Sequence, residues 1–202
     1  MFVKPIASLR VFAANPPGSC KASIAIAAAR SGHVGLLDLE FAQIAAPGTR
    51  QALETLVKAM RRPAKGQWGL KLRQDDLAAI ASHPALIDGP QPGCVIVVPT
   101  EFSALNAAIA AAKAKWPACG VLVEIHDTAD LAARLAVASL ADGWVAKGFE
   151  AGGHVGTETI FLLVQRLRAL TDLPVIAQGG VAPDTGAALF AAGVSGVLRD
   201  GQ

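Results

Sequence analysis

Alternation is the feature that most constrains this chain. Short runs dominated by Val, Ile and Leu take turns with longer runs dominated by Ala and Leu along the whole sequence. The strand-like runs fall at residues 9–13, 34–39, 68–72, 94–98, 120–125, 143–147, 174–177 and 195–198. Several, such as Cys94-Val95-Ile96-Val97-Val98, are continuously apolar. That is the pattern of a strand buried on both faces of a parallel sheet. The helical runs fall at 21–30, 49–60, 75–82, 103–115, 128–139, 157–170 and 183–192. Strict β–α alternation specifies a parallel sheet. Eight strands favour closure into a (β/α)8 TIM barrel over an open doubly wound sheet.

Punctuation supports these elements. Pro183 occupies a first helical position with Asp184 in the first turn, where a carboxylate suits the helix dipole. Gly32 and Gly193 follow helix ends, as C-terminal caps do, and Asp172 with Pro174 closes the sixth helix. The 202 residues read as one domain, 1–202. A complete barrel of this kind typically takes about 250 residues, so this one has minimal loops or lacks an end. Only a few residues follow Leu198, so the eighth helix is expected to be missing. Two explanations stand open: a domain cut from a longer protein, or a gap filled by an N-terminal or partner segment.

Composition narrows the function classes. Hydrophobic residues make up 52% and charged residues 17%, which excludes a disordered chain. The net charge is +2 with no long basic block, which argues against nucleic acid or a membrane surface as partner. Arg61-Arg62 with Lys65, the densest basic spot, reads as the solvated end of a helix. Cys20, Cys94 and Cys119 are odd in number and form no Cys-x-x-Cys, so neither a disulfide framework nor a metal site is indicated. A reducing, cytoplasmic compartment is the simple reading. The first residues lack the regions of a signal peptide, and no stretch is long and apolar enough to span a bilayer. Tyrosine is absent, which excludes any mechanism needing a phenolic acid.

Barrel enzymes place their chemistry at the C-terminal ends of the strands. The candidates are therefore Asn15; Asp38 and Glu40; Lys71 and Arg73; Thr100 and Glu101; His126 and Asp127; residues 147–156; 178–180; and 199–201. The sixth of these groups is the richest. Gly148-Phe149-Glu150-Ala151-Gly152-Gly153-His154-Val155-Gly156 lets backbone approach a flat or phosphorylated ligand, beside a histidine able to act as general base. The same residues could equally form a flexible turn with one exposed histidine. The seventh group, Gln178-Gly179-Gly180-Val181-Ala182-Pro183, runs from strand into helix and can present backbone N–H groups to an anion, or simply make a tight turn. His126 and Asp127 are adjacent, so at most one is expected to face the site. Glu124 points either into the barrel or under a helix. Trp68, Trp116 and Trp144 read as packing residues, His33 as a helix end and His83 as loop surface. Cys94 and Cys119 begin neighbouring strands, away from chemistry.

Residues 142–156, Asp-Gly-Trp-Val-Ala-Lys-Gly-Phe-Glu-Ala-Gly-Gly-His-Val-Gly, resemble the sixth-strand signature of the nitronate monooxygenases (2-nitropropane dioxygenases), which the flavin-dependent enoyl-acyl-carrier-protein reductases of bacteria share. Residues 173–181 resemble the family's seventh strand, and 187–197 its seventh helix and eighth strand. Weaker likenesses fall at 29–37 and 68–72. The resemblance implies FMN, with the isoalloxazine over the barrel mouth near Gly152, Gly153 and His154. It implies a phosphate seat on Gly179 and Gly180, joined by Gly201, with Lys71, Lys147, Glu150 and Gln178 also lining the cofactor. His154 would take the proton of a nitroalkane; in the reductases the flavin instead passes hydride to an enoyl thioester. Lys147 would stabilise an anionic reduced flavin.

Four positions depart from the family's pattern. Asn15-Pro16-Pro17-Gly18 replaces a Pro-Met pair after the first strand, and Lys71 replaces an asparagine. Asp38-Leu39-Glu40 stands where small residues are usual, and Asp200-Gly201 replaces a Gly-Thr pair at the phosphate. An aspartate aimed at a phosphate costs on the order of 1 kcal/mol or more, unless Lys71, Lys147 or Arg199 compensates. Two readings follow. One is an FMN-dependent oxidoreductase acting on a nitronate or acyl thioester. The other is a degenerate barrel kept as a structural or docking domain of a polyketide or fatty-acid synthase.

Overall fold

The computed structural model describes residues 9–200, and over them the alternation closes into a barrel. The strands are β1 (Arg10–Ala14), β2 (Val34–Asp38), β3 (Gln67–Arg73), β4 (Cys94–Val98), β5 (Gly120–Ile125), β6 (Gly143–Lys147), β7 (Val175–Gln178) and β8 (Gly196–Arg199). Each pairs in parallel with the next, and β8 pairs with β1. The (β/α)8 expectation holds, and β4, β5 and β6 have the bounds expected from the sequence.

The helices are α1 (Ser23–Arg30), α2 (Pro47–Met60), α3 (Leu77–Ala81), α4 (Pro84–Ile87), α5 (Leu105–Lys115), α6 (Leu131–Val137), α7 (Ile160–Leu170) and α8 (Pro183–Ala191). The third connection differs from the single helix expected over 75–82. Pro84 starts a separate helix there, and Nδ1 of His83 accepts from the Ala85 N–H at 3.2 Å, so this histidine is a cap. The seventh helix begins at Ile160, later than expected, because the Thr159 hydroxyl accepts from the Leu162 N–H and caps it.

Two apolar shells hold the barrel. Outside the strands, Leu37, Leu70, Val97 and Val123 pack under helix residues such as Leu53, Leu56 and Leu163. Trp68, Trp116 and Trp144 lie in this shell, as packing residues. Inside, Phe12, Leu36, Ile96, Leu122, Val145, Ile176 and Leu198 form a second cluster. Burying each such side chain contributes roughly 1.5–3 kcal/mol. Strand side chains alternate between faces, so the next inward positions are two residues further on. There the interior turns polar: Asp38, Lys71, Glu124, Lys147 and Gln178 are all buried.

Candidate functional site

Five charged side chains meet at the C-terminal mouth, carried by β2, β3, β5, β6 and the residues just past β2. Nζ of Lys71 lies 2.8 Å from Oε2 of Glu40, 2.9 Å from Oε2 of Glu124 and 3.5 Å from Oδ2 of Asp38. Nζ of Lys147 lies 2.9 Å from the same Glu40 oxygen and 3.4 Å from Oε1 of Glu124. Both lysines are fully buried, and none of the three acids is more than 3% exposed. Glu124 therefore points into the barrel, which settles the alternative left open by the sequence.

Charge balance explains how such a lattice persists. Isolated buried charges are very costly, so they must be paired. Burial raises the pKa of Asp38 against the pull of Lys71. Burial also pushes Glu40 upward, but Lys71 and Lys147 outweigh it and hold that carboxyl below its ordinary value. At Lys71 burial favours the neutral amine, yet Glu124, Asp38 and Glu40 together raise the pKa instead. Asn15 fixes the acidic side of this lattice, its Oδ1 accepting from the Asp38 N–H at 2.8 Å and its Nδ2 donating to the Asp38 carbonyl at 3.0 Å.

The glycine-rich segment after β6 folds over this floor. Gly153 has φ of 85°, and a Cβ built on it would stand 3.2 Å from Nζ of Lys147 and 2.9 Å from the Phe41 ring. Only glycine brings the backbone this close. His154 is exposed, and its ring meets that of His126 edge-on at 4.9 Å. Nδ1 of His126 is buried without a hydrogen-bond partner, and Nε2 lies 3.5 Å from Asp127, which pairs with Arg134 at 2.9 Å. Burial lowers the His126 pKa against Glu124 and Asp127. Both residues lie past the end of β5 at Ile125, His126 against the His154 ring and Asp127 against Arg134.

Gly179 and Gly180 turn from β7 towards α8 with φ of 116° and 58°. Their N–H groups make no hydrogen bond within the described chain. A cavity of only about 10 Å³ lies between them and Leu198, Arg199 and Asp200. Asp200 is buried and accepts from Nε2 of Gln178 at 2.8 Å, while Oε1 of Gln178 is buried without a partner. The compensation of Asp200 by Lys71 or Lys147 does not occur, since both lysines are committed to Glu40 and Glu124. The Glu150 carboxylate accepts from the Ile160 N–H at 3.1 Å, at the start of α7. Gly152 lies beside Pro17 and Asp200. Gly201 lies outside the described residues.

FMN, the group implied by the family signature, suits one end of this arrangement. Gly179 and Gly180 offer unused backbone donors of the kind a phosphate takes. The ring end does not suit it. A flat ring needs about 3.5 Å on either face, whereas even a Cβ built on Gly153 would stand only 3.2 Å from Nζ of Lys147 and 2.9 Å from the Phe41 ring, so no ring fits between the loop and the lysine.

Among the sequence candidates, the fold joins Lys71 and Lys147 in one lattice. It gathers Gly152, Gly153 and His154 above that lattice, and Gln178, Gly179 and Gly180 beside it. Motif reading did not assign Asp38, Glu40 and Glu124 to one site with the lysines. Their signal was parity: Asp38, Lys71, Glu124 and Lys147 each sit two residues beyond an inward-facing position.

Comparison with known proteins agrees with the barrel. No curated protein matches the sequence. The structure of FabK from Thermotoga maritima aligns with a TM-score of 0.71 at 21% identity, covering 95% of this chain and 58% of that one. The enoyl reductase domain of MlnA, from the macrolactin biosynthesis cluster of Bacillus amyloliquefaciens, aligns at 0.65 and 16%, covering 94% and 52%. A 3-hexulose-6-phosphate synthase aligns at 0.67 and 20%, covering 96% and 90%. The chain thus spans about three-fifths of the FabK structures it matches. The nitronate monooxygenase family model matches residues 95–198, just over half of the sequence and the part that carries the glycine loop, His154 and the Gly179–Gly180 turn. By that match this chain belongs to the nitronate monooxygenase family.

Proposed function

We propose that this chain is a flavin-free barrel of its family, serving as a structural or docking domain of a larger acyl-chain-building protein in the cytoplasm. The observation that carries this is how close the Gly153 backbone comes to the charged floor, where a Cβ built on it would stand 3.2 Å from Nζ of Lys147 and 2.9 Å from the Phe41 ring, in the region that the resemblance gives to the isoalloxazine. Lys71 and Asp200, which depart from the family's pattern, are both tied into buried pairs. A synthase setting draws its support from the enoyl reductase domain of MlnA among the similar folds. No described helix is long and apolar enough to cross a membrane.

A second reading, an FMN-dependent oxidoreductase of the nitronate monooxygenase type, is favoured by the unused N–H groups of Gly179 and Gly180 beside the His154 loop. In it His154 removes a proton from a small nitronate-forming substrate, or an enoyl thioester takes up hydride, and bound FMN would supply the redox chemistry. The visible spectrum of the purified protein, followed by FMN titration, separates the two. The flavin-free reading expects a colourless protein and no saturable binding. Saturation in the micromolar range (about −8 kcal/mol) overturns it, and nitroalkane and enoyl-thioester assays on His154→Ala then choose the reaction.

A further inference from the structure

We propose that the N-terminal end of the barrel binds a medium-chain aliphatic carboxylate, on the face opposite the glycine loop. This site goes beyond both readings of the C-terminal mouth and depends on neither. A cavity of about 380 Å³ lies there, walled by Phe12, Cys94, Leu122 and Ile176. Small-molecule sites usually fall at about 300–1,000 Å³. Glycines make the room. Gly120, Gly143 and Gly196 stand two residues before Leu122, Val145 and Leu198 of the inner cluster, so they face inward with them. A Cβ on Gly143 would stand 2.9 Å from the Leu122 side chain, and one on Gly196 2.9 Å from that of Ile176. These two must stay bare for the apolar wall to pack. A Cβ on Gly120 would meet nothing nearer than the Gly93 carbonyl oxygen at 3.8 Å, so the space there is open.

The rim selects the ligand. Arg10 and Gln67 border the cavity and are exposed, so it is reached from solvent past them. Among the described residues no ion pair or side-chain hydrogen bond engages the Arg10 guanidinium. Asp142 also borders the cavity, but its charge is taken up. Its Oδ1 accepts from Nζ of Lys113 at 2.6 Å and its Oδ2 from the Val121 N–H at 2.8 Å. The open charge at the rim is therefore positive, above an apolar wall. An aliphatic carboxylate matches both: its chain lies against Phe12, Leu122 and Ile176, and its head meets the guanidinium, with the Gln67 amide as a second donor. A neutral apolar ligand would leave Arg10 unused, and a small anion without a chain would leave the wall unused.

The test is calorimetric titration of the full chain with octanoate at low ionic strength. Saturable binding is expected, weakening by about fourfold for each buried methylene removed from the chain. Gly120→Leu puts a side chain into the open space of the cavity and should abolish binding, in protein shown to be folded by circular dichroism. Arg10→Gln should weaken octanoate by about fivefold, the upper end for an exposed ion pair, and leave octanol binding unchanged. No saturable binding to the unaltered chain overturns the assignment, as does binding that survives Gly120→Leu. A cavity filled by another part of the chain or by a second copy would refuse octanoate, and that result counts against the site equally. FMN titration reads the opposite end of the barrel, so the two proposals fail separately.

Discussion

The two ends of this barrel are filled in opposite ways. Towards the N-terminal end, Phe12, Cys94, Leu122 and Ile176 line a cavity of about 380 Å³, with Arg10 and Gln67 at its edge. Burial there pushes the Cys94 thiol well above its ordinary range, as it does Cys119, to about 12, so neither is a ready nucleophile. At the C-terminal end the same interior columns finish in Asp38, Lys71, Glu124 and Lys147, and a loop closes over them. The apolar end tolerates incomplete filling because a void forfeits only dispersion and transfer energy. The charged end cannot, since each member leaves the others uncompensated if removed.

The sharpest way to break this comparison is Lys71→Met. It strands Glu124 and Glu40 and should cost about 3–5 kcal/mol in a denaturant melt. The double variant Lys71→Met with Glu124→Leu should recover much of that loss, because the pair leaves together. Equal costs for single and double variants would mean that the lattice is not a coupled unit. Leu122→Ala at the opposite end should fall near the bottom of the usual range of about 2–5 kcal/mol, since Leu122 already borders a cavity.

Melting temperature against pH should show the charged end at both limits. Glu40 is depressed in the folded protein, so its contribution is in place above its ordinary value of 4.5 and is lost as pH falls below it. Lys71 is raised, so its contribution is complete below 10.5 and is lost as pH climbs beyond. Asp38, raised from 3.8, works the other way and erodes stability as pH rises past that value. Lys71→Met should flatten the alkaline limb; an unchanged limb would place its origin elsewhere. The smallest effect belongs to Cys94→Val, a near volume-conserving change among apolar neighbours, at less than about 1.5 kcal/mol.

Much of this architecture was legible beforehand. Runs such as Cys94–Val98 and Gly143–Lys147 declare strands buried on both faces, and their number and spacing specify the barrel. The glycine loop and the Gly179–Gly180 turn were found because local motifs carry their own signal. The break between α3 and α4 was missed because a proline at a first helical position reads as either a stop or a start. The lattice was missed for a different reason: its members come from strands separated by dozens of residues.

By itself, then, the sequence determined the order of elements, the barrel and the family signature on its sixth and seventh strands. All of these follow from periodicity and short-range pattern. Tertiary structure alone decided that Lys71 and Lys147 share Glu40, that Asp200 turns to Gln178, and that the Gly153 backbone comes so near Lys147 that an added Cβ would stand 3.2 Å from its Nζ. The physical reason is that ion pairing and close backbone approach depend on distances of a few ångströms between residues far apart in the chain. Barrel closure fixes those distances, and no local pattern encodes them.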